Sequence, residues 1–113
     1  MKNLKKGLLL RILIGEDDRF HNKPLYEQIV IKARELKLAG ATVFKGIMGF
    51  GADSLIRSSK ILQLSEDMPI VIEIIDTEEN INKILPFLDE TVRGGLVTLE
   101  KATIIKYCSS SDK

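Results

Sequence analysis

The sequence is poor in the residue types from which most catalytic and metal centres are built. Its 113 residues include one cysteine and one histidine. Cys108 alone excludes an intramolecular disulfide and a cysteine-based zinc site, and His21 alone excludes a pair of catalytic histidines. Ser58, Ser59 and the serines near the C-terminal end have no base partner for nucleophilic catalysis. The sequence therefore predicts that the protein is not an enzyme.

The chain also lacks a strong excess of charge of either sign. Seventeen basic and sixteen acidic residues leave a net charge of +1, so no bulk field favours nucleic acid or an acidic surface. The basic and apolar start resembles a signal peptide, but Arg11 interrupts the apolar run and acidic residues 16–18 follow it. With 44% apolar and 29% charged residues, we expect one domain over residues 1–113 of a cytoplasmic protein, not a membrane protein.

The apolar pattern predicts four strands and two helices in the order β-α-β-loop-β-α-β. We expect strands over residues 8–14, 41–47, 68–75 and 96–107, the last as one strand or a broken pair. This order is typical of an α+β fold, the ferredoxin-like βαββαβ sandwich. Its antiparallel sheet carries two helices on one face, and here a long loop joins strands two and three.

Turn residues predict where the helices begin and end. The first helix is expected to start at Pro24, with Asn22 as a possible cap, and to stop at Gly40. Asp76 and Thr77 can cap the second helix. Pro86 removes a helical hydrogen bond and is expected to kink or shorten that helix.

Both faces of the first and third strands are apolar. Two helices can cover only one side of a four-stranded sheet, and an uncovered apolar face favours association. We therefore predict a homo-oligomer whose subunits pack sheet against sheet. Arg11 and Glu73 are candidate charge partners in that interior, because isolated buried charges are costly.

Three glycines and an aromatic residue occupy residues 46–51, just after the second predicted strand. Such glycines allow positive φ, close approach of a ligand or chain, or an anion-binding nest of N–H groups. The alternative is a plain turn into a mobile loop, since the spacing is neither that of a P-loop nor G-x-G-x-x-G. The aperiodic segment that follows is long enough to favour a functional or partner-binding loop.

One cluster of metal-ligand types stands out near the end of the first strand. Carboxylates and an imidazole can hold a divalent cation, and a solvated acidic loop is the alternative. The hypothesis of a trimeric divalent-metal-binding or metal-tolerance protein of the same fold uses Glu16, Asp18 and His21.

Four segments resemble an uncharacterised prokaryotic family of PII-like proteins: residues 15–18, 21–26, 40–51 and 69–73. That family is similar to the PII signalling proteins, which are ferredoxin-like homotrimers. The resemblance implies an adenine nucleotide bound in three clefts between subunits. It also implies that a loop, residues 48–68, becomes ordered on binding and contacts a transporter or enzyme partner.

The resemblance also implies site residues. In PII proteins a glycine-bearing turn before the last strand holds phosphates, and basic residues near the end of the chain assist. The longer glycine and lysine pattern of that turn is absent, so AMP or ADP is favoured over ATP, with a divalent cation as a candidate co-ligand. The nucleotide-binding residues implied are Gly46, Ile47, Met48, Gly49, Phe50, Gly51, Arg93, Gly94, Gly95 and Lys106.

Overall fold

The computed structural model describes residues 4–51, 57–58 and 67–110. Its main sheet has four antiparallel strands in the order β4-β7-β1-β8. This order confirms the predicted ferredoxin-like fold. In chain order the elements are β1 (Lys5–Gly15), β2 (Arg19–Phe20), β3 (Lys23–Pro24), α1 (Leu25–Glu35), β4 (Thr42–Lys45), β5 (Met48–Gly49), β6 (Arg57–Ser58), β7 (Pro69–Asp76), α2 (Glu78–Thr91) and β8 (Leu96–Ile104).

The hydrophobic core lies between one face of the sheet and the two helices. Alternate residues of β1 and β7 point to this face, because successive side chains of a strand alternate, and the helices contribute residues three or four apart. The fully buried members are Leu10, Ile12, Leu25, Ile29, Ile72, Ile74, Ile81 and Ile84.

The opposite face of the sheet is apolar, and no element in the described part of the chain covers it. Leu9, Leu13 and Val71 are half-buried there, whereas Phe44 and Ile75 are about half exposed. This confirms that the central strands are apolar on both sides.

The two charged residues expected on this face do pair. Arg11 lies directly opposite Glu73 in the strand register, and its Nε donates to Glu73 Oε2 at 2.9 Å. The hydrogen bond from Arg11 to Glu73 raises the pKa of Arg11 above its ordinary value, more than burial lowers it.

The boundaries of α1 differ from those predicted. The helix begins at Leu25, and Pro24 precedes it with an extended backbone and no capping side chain. Asn22 is not the cap, because with His21 it forms the positive-φ turn between β2 and β3.

Gly40 does not end α1 either. The helix stops at Glu35, and Lys37 then takes the left-handed conformation with a φ of 62°. The N–H of Leu38 donates to the carbonyl of Ala33 at 3.0 Å, the backbone pattern of a Schellman end.

The second helix confirms the predicted cap and corrects the prediction that Pro86 shortens it. Thr77 Oγ1 accepts from the N–H of Asn80 at 3.3 Å. Pro86 lies inside α2, which continues to Thr91. Because Pro86 is exposed, water can hydrate the carbonyl that it leaves unpaired. The last strand, β8, is continuous, but it ends at Ile104 rather than Tyr107.

Candidate functional site

The glycine block begins where β4 ends and packs against the start of β7. The N–H of Gly46 donates to the carbonyl of Pro69 at 2.7 Å. A Cβ at Gly46 would lie 3.0 Å from Pro69 Cγ, and one at Gly49 would lie 3.2 Å from it. No glycine in the described ranges has positive φ, so that explanation of the block was wrong. Gly46 and Gly49 instead allow the backbone to approach a proline ring closely.

The large side chains of the block project outward. Ile47 is 87% exposed and Phe50 is 70% exposed, and Met48 is about half exposed. The backbone of β5 pairs with β6 as a short antiparallel ribbon. Much of the predicted 48–68 loop, residues 52–56 and 59–66, lies outside the described residues. The part that is described offers apolar side chains for a ligand, a partner or a second copy.

The second predicted group, Arg93, Gly94 and Gly95, forms exposed bends between α2 and β8. A Cβ at Gly95 would lie 2.5 Å from the carbonyl oxygen of Leu13, whereas one at Gly94 would meet no atom of the described ranges within 4 Å. Gly95 is therefore required for packing, and Gly94 is free to approach another molecule.

These two groups lie at the same end of the sheet but at opposite edges. Gly46 follows β4, and Gly95 precedes β8, with β7 and β1 between them. Three strand spacings separate the edges by roughly 14 Å. One chain therefore does not bring the two glycine groups together.

Lys106 lies at the other end of the sheet. It follows β8, whose last residue pairs with Lys5 at the start of β1. The nine residues of β8 lie between them, and the eight steps from the first to the last of these span roughly 27 Å. Within one chain, Lys106 is thus remote from both glycine groups.

Lys106 lines a cleft of about 1110 Å³ that we call the Lys106 cleft. The charges around it are those of Lys5, Lys37, Lys106, Glu73 and Asp76. Its apolar lining includes Phe44, Ile75 and Tyr107, with the turn at residues 38–42 along one side. Among these lining residues, sequence reasoning identified only Lys106 as ligand-binding, and it assigned Glu73 and Asp76 to other roles. The cleft is formed by segments far apart in the chain, and no local motif marks them.

The carboxylate of Asp76 accepts several hydrogen bonds at this cleft. It is buried and accepts from the N–H of Thr77 at 2.7 Å, the N–H of Ala39 at 2.8 Å and Asn80 Nδ2 at 3.0 Å. Burial raises the pKa of Asp76, but the hydrogen bonds from Asn80, Thr77 and Ala39 outweigh it and leave that pKa below its ordinary value. Asp76 is therefore an ionised structural anchor.

The predicted metal ligands do not assemble. Glu16 pairs with Lys45 at 3.1 Å, Asp18 accepts from the N–H of Gly15 at 3.1 Å, and His21 stacks on Phe20. Across residues 4–51, 57–58 and 67–110, no three acidic, histidine or cysteine side chains form a potential metal site. The β2–β3 turn carries His21 away, which local sequence did not reveal.

A smaller cleft of about 660 Å³ lies beside Gly46. Glu16, Arg19 and Lys45 line it. Oε1 of Glu16 is buried and has no hydrogen-bond partner among the described residues, although Oε2 of the same carboxylate pairs with Lys45. The glycine end of the sheet is thus polar on the helix side.

Residues 7–104 match the DUF190 family, described as "Uncharacterized ACR, COG1993". The chain belongs to this family. The UPF0166 protein of Aquifex aeolicus (strain VF5) is 44% identical over 108 residues, which are 93% of this chain and 98% of that relative. The suspected family resemblance is therefore confirmed.

The fold of this DUF190 chain is similar to solved PII-like proteins. One is CPII, a nitrogen regulatory PII-like protein from Thiomonas intermedia K12, bound to ADP, AMP and bicarbonate; the TM-score is 0.67, the identity 17%, and 92% of each chain is covered. Another is a putative PII-like signaling protein from Thermus thermophilus, with a TM-score of 0.65, 21% identity and coverage of 91% and 93%. The fold is therefore PII-like. Neither described helix combines the length and hydropathy that a membrane crossing requires.

Proposed function

We propose that this protein is a cytoplasmic PII-like regulatory protein that binds an adenine nucleotide between the subunits of a homotrimer. AMP or ADP is favoured over ATP. Residues 48–68 would contact a transporter or enzyme partner, and the nucleotide would change the surface that they offer. The observation that carries the proposal is the lysine-lined Lys106 cleft in a PII-like fold.

The chemistry of the cleft suits a nucleotide. Lys5, Lys37 and Lys106 supply ammonium donors for phosphate oxygens, and exposed aromatic and aliphatic side chains offer a surface for a base. Glu73 and Asp76 leave the lining with one excess positive charge, which favours fewer phosphates. CPII, of similar fold, is bound to ADP and AMP, and this supports the same ligand class here.

The predicted nucleotide-binding residues lie far apart within one chain, and this separation supports a site between copies. The Gly46 and Gly95 groups lie at opposite edges of one sheet end, and Lys106 lies at the other end. Contact between any two of these groups would require a second copy of the chain. The uncovered apolar face around Arg11 and Glu73 gives such copies a surface on which to associate.

Calorimetric titration with AMP, ADP and ATP tests the proposal directly. We expect heat with AMP and ADP, weaker heat with ATP, and a thermal shift in the same order. Lys106→Ala should weaken nucleotide binding, since it removes a charge-assisted bond to phosphate. Lys101→Ala is the matched control, because Lys101 is an exposed lysine of β8 that does not line the cleft.

Gly94→Ala tests the proposed phosphate contact at residues 93–95. A methyl group there meets no atom of the described residues within 4 Å, so weaker binding without lower stability would indicate that phosphate approaches this backbone. Sedimentation should give about three times the chain mass of 12.7 kDa. A stable monomer, or no heat and no thermal shift with any of the three nucleotides, would contradict the proposal.

A further inference from the structure

The chain leaves β8 and crosses the end of the sheet. β8 lies at one edge, whereas Ala39 leads into β4 at the other edge. Tyr107, three residues beyond the end of β8, donates its hydroxyl to the carbonyl of Ala39 at 2.8 Å. Residues 105–107, which we call the C-terminal strap, therefore span the end of the sheet along the Lys106 cleft.

The attachment point of the strap is held firmly. The N–H of Ala39 donates to Asp76 Oδ2 at 2.8 Å, and Asp76 is buried at the N-terminal end of α2. Asn80 and Thr77 bind the other oxygen of the same carboxylate. Ala39 thus accepts a hydrogen bond from Tyr107 at its carbonyl, while its N–H is bonded to the buried carboxylate of Asp76.

The strap itself has little else to hold it. Ile105 is 55% exposed and Tyr107 is 69% exposed, and the pairing of β8 with β1 ends at Ile104. Among the described residues, the Tyr107 hydroxyl makes the one side-chain hydrogen bond of the strap. A segment with so few buried contacts moves readily once its tether is removed.

We infer that Tyr107 is a positioning residue of the Lys106 cleft, whose hydroxyl holds the strap on Ala39 and so places the neighbouring Lys106 ammonium toward the ligand. This inference rests on the proposed nucleotide function. A tethered strap presents Lys106 without the entropy cost of ordering it at binding. The role is positioning, since the hydroxyl is already engaged by Ala39.

Tyr107→Phe tests the role, because it removes the hydroxyl and keeps the ring. We expect the dissociation constant for AMP to rise about three- to tenfold, the range of one neutral hydrogen bond. In a Lys106→Ala background the same change should have no further effect. A purely structural residue would weaken binding equally in both backgrounds.

Cys108 provides a second measurement that needs no ligand. It is exposed and is the single cysteine of the chain, so a nitroxide attached there reports the mobility of the strap. We expect Tyr107→Phe to increase that mobility. Tyr26→Phe, which changes the other tyrosine, on α1, should leave the label unchanged.

The outcomes separate this inference from the proposed function. Normal AMP affinity in Tyr107→Phe, or an unchanged nitroxide spectrum, would overturn the positioning role and leave nucleotide binding standing. Absence of binding by the unmodified protein would overturn the proposed function and this role with it. Weaker binding together with a looser strap would support both.

Discussion

Arg11 donates from Nε to Oε2 of Glu73 at 2.9 Å across the two central strands, on the sheet face away from the helices. The same guanidinium reaches Glu100 on β8 through Nη1 at 3.1 Å. One cation thus links three strands in the middle of an apolar surface. Both side chains of the central pair are about one-third exposed in the single chain, and association through this face would bury them further.

Removing Arg11 alone should therefore lower the stability of the protein more than removing Arg11 and Glu73 together. Arg11→Leu leaves Glu73 and Glu100 without their shared partner, and we expect a lower melting temperature and weaker association. Arg11→Leu with Glu73→Leu removes both members of the pair and should recover much of the loss. Calorimetry and sedimentation of the single and double variants measure this. A double variant that melts lower than Arg11→Leu would refute the expectation.

Two adjacent glycines should respond in opposite ways to alanine. Gly95→Ala places a methyl group against the carbonyl oxygen of Leu13, a backbone atom that cannot move aside. We expect it to lower the free energy of unfolding by about 1–3 kcal/mol, as overpacking does. Gly94→Ala meets open space and should be close to neutral. Urea denaturation of both variants checks the contrast, and equal losses would argue against the described turn.

The end of α1 offers a stabilising change. Lys37 has a φ of 62°, which strains a residue with a Cβ, so Lys37→Gly should raise the free energy of unfolding by about 0.5–1 kcal/mol after the entropy of glycine is subtracted. Gly40→Ala is the counterpart. Gly40 has no positive φ, and a Cβ there would have no neighbour within 4 Å in the part of the chain that the structure describes, so we expect this change not to destabilise. A higher urea midpoint with an unchanged slope would confirm that Lys37→Gly stabilises the protein. A lower midpoint would contradict the expectation that Lys37 is strained.

The contribution of Asp76 to the free energy of unfolding should decrease at low pH. Its pKa is lowered in the folded chain, so its contribution is fully present above the ordinary carboxyl pKa of about 3.9 and is lost as pH falls through the lower folded value. Asp76→Asn should cost about 1.5–3 kcal/mol at pH 7, the range for hydrogen bonds to a charged group. The difference from the unmodified protein should shrink in acid, below that ordinary pKa.

Asp89→Asn controls for the loss of a carboxylate, because Asp89 is exposed on α2. It should change stability little at either pH. The comparison uses denaturation curves of the unmodified protein, Asp76→Asn and Asp89→Asn, each recorded at pH 7 and at a pH below about 3.9. A constant gap for Asp76→Asn would show that the carboxylate gains nothing from ionisation in the folded state.

Local pattern predicted the elements well and their ends less well. Alternation in β1 and β7 indicated strands with two apolar faces, and Thr77 was identified as a cap, because these features depend on neighbours in the chain. Asn22 and Gly40 were wrong as helix boundaries. Asparagine is common at helix N-caps and glycine at helix C-terminal ends. Here Asn22 lies in the β2–β3 turn, and Lys37 is the residue with left-handed backbone after α1. Several residues near a helix end compete for each role, and only the packed backbone selects one.

The sequence by itself determined the order of strands and helices, the apolar second face with Arg11 and Glu73 on it, and family membership. These follow from short-range periodicity and from motifs that can be read one segment at a time. Only the tertiary structure decided that Gly46 and Gly95 lie at opposite edges of the sheet, that the acidic residues and His21 do not gather, and that Tyr107 reaches Ala39. Each of these depends on which distant segments the sheet brings together, and strand pairing across many residues leaves no mark in the local sequence.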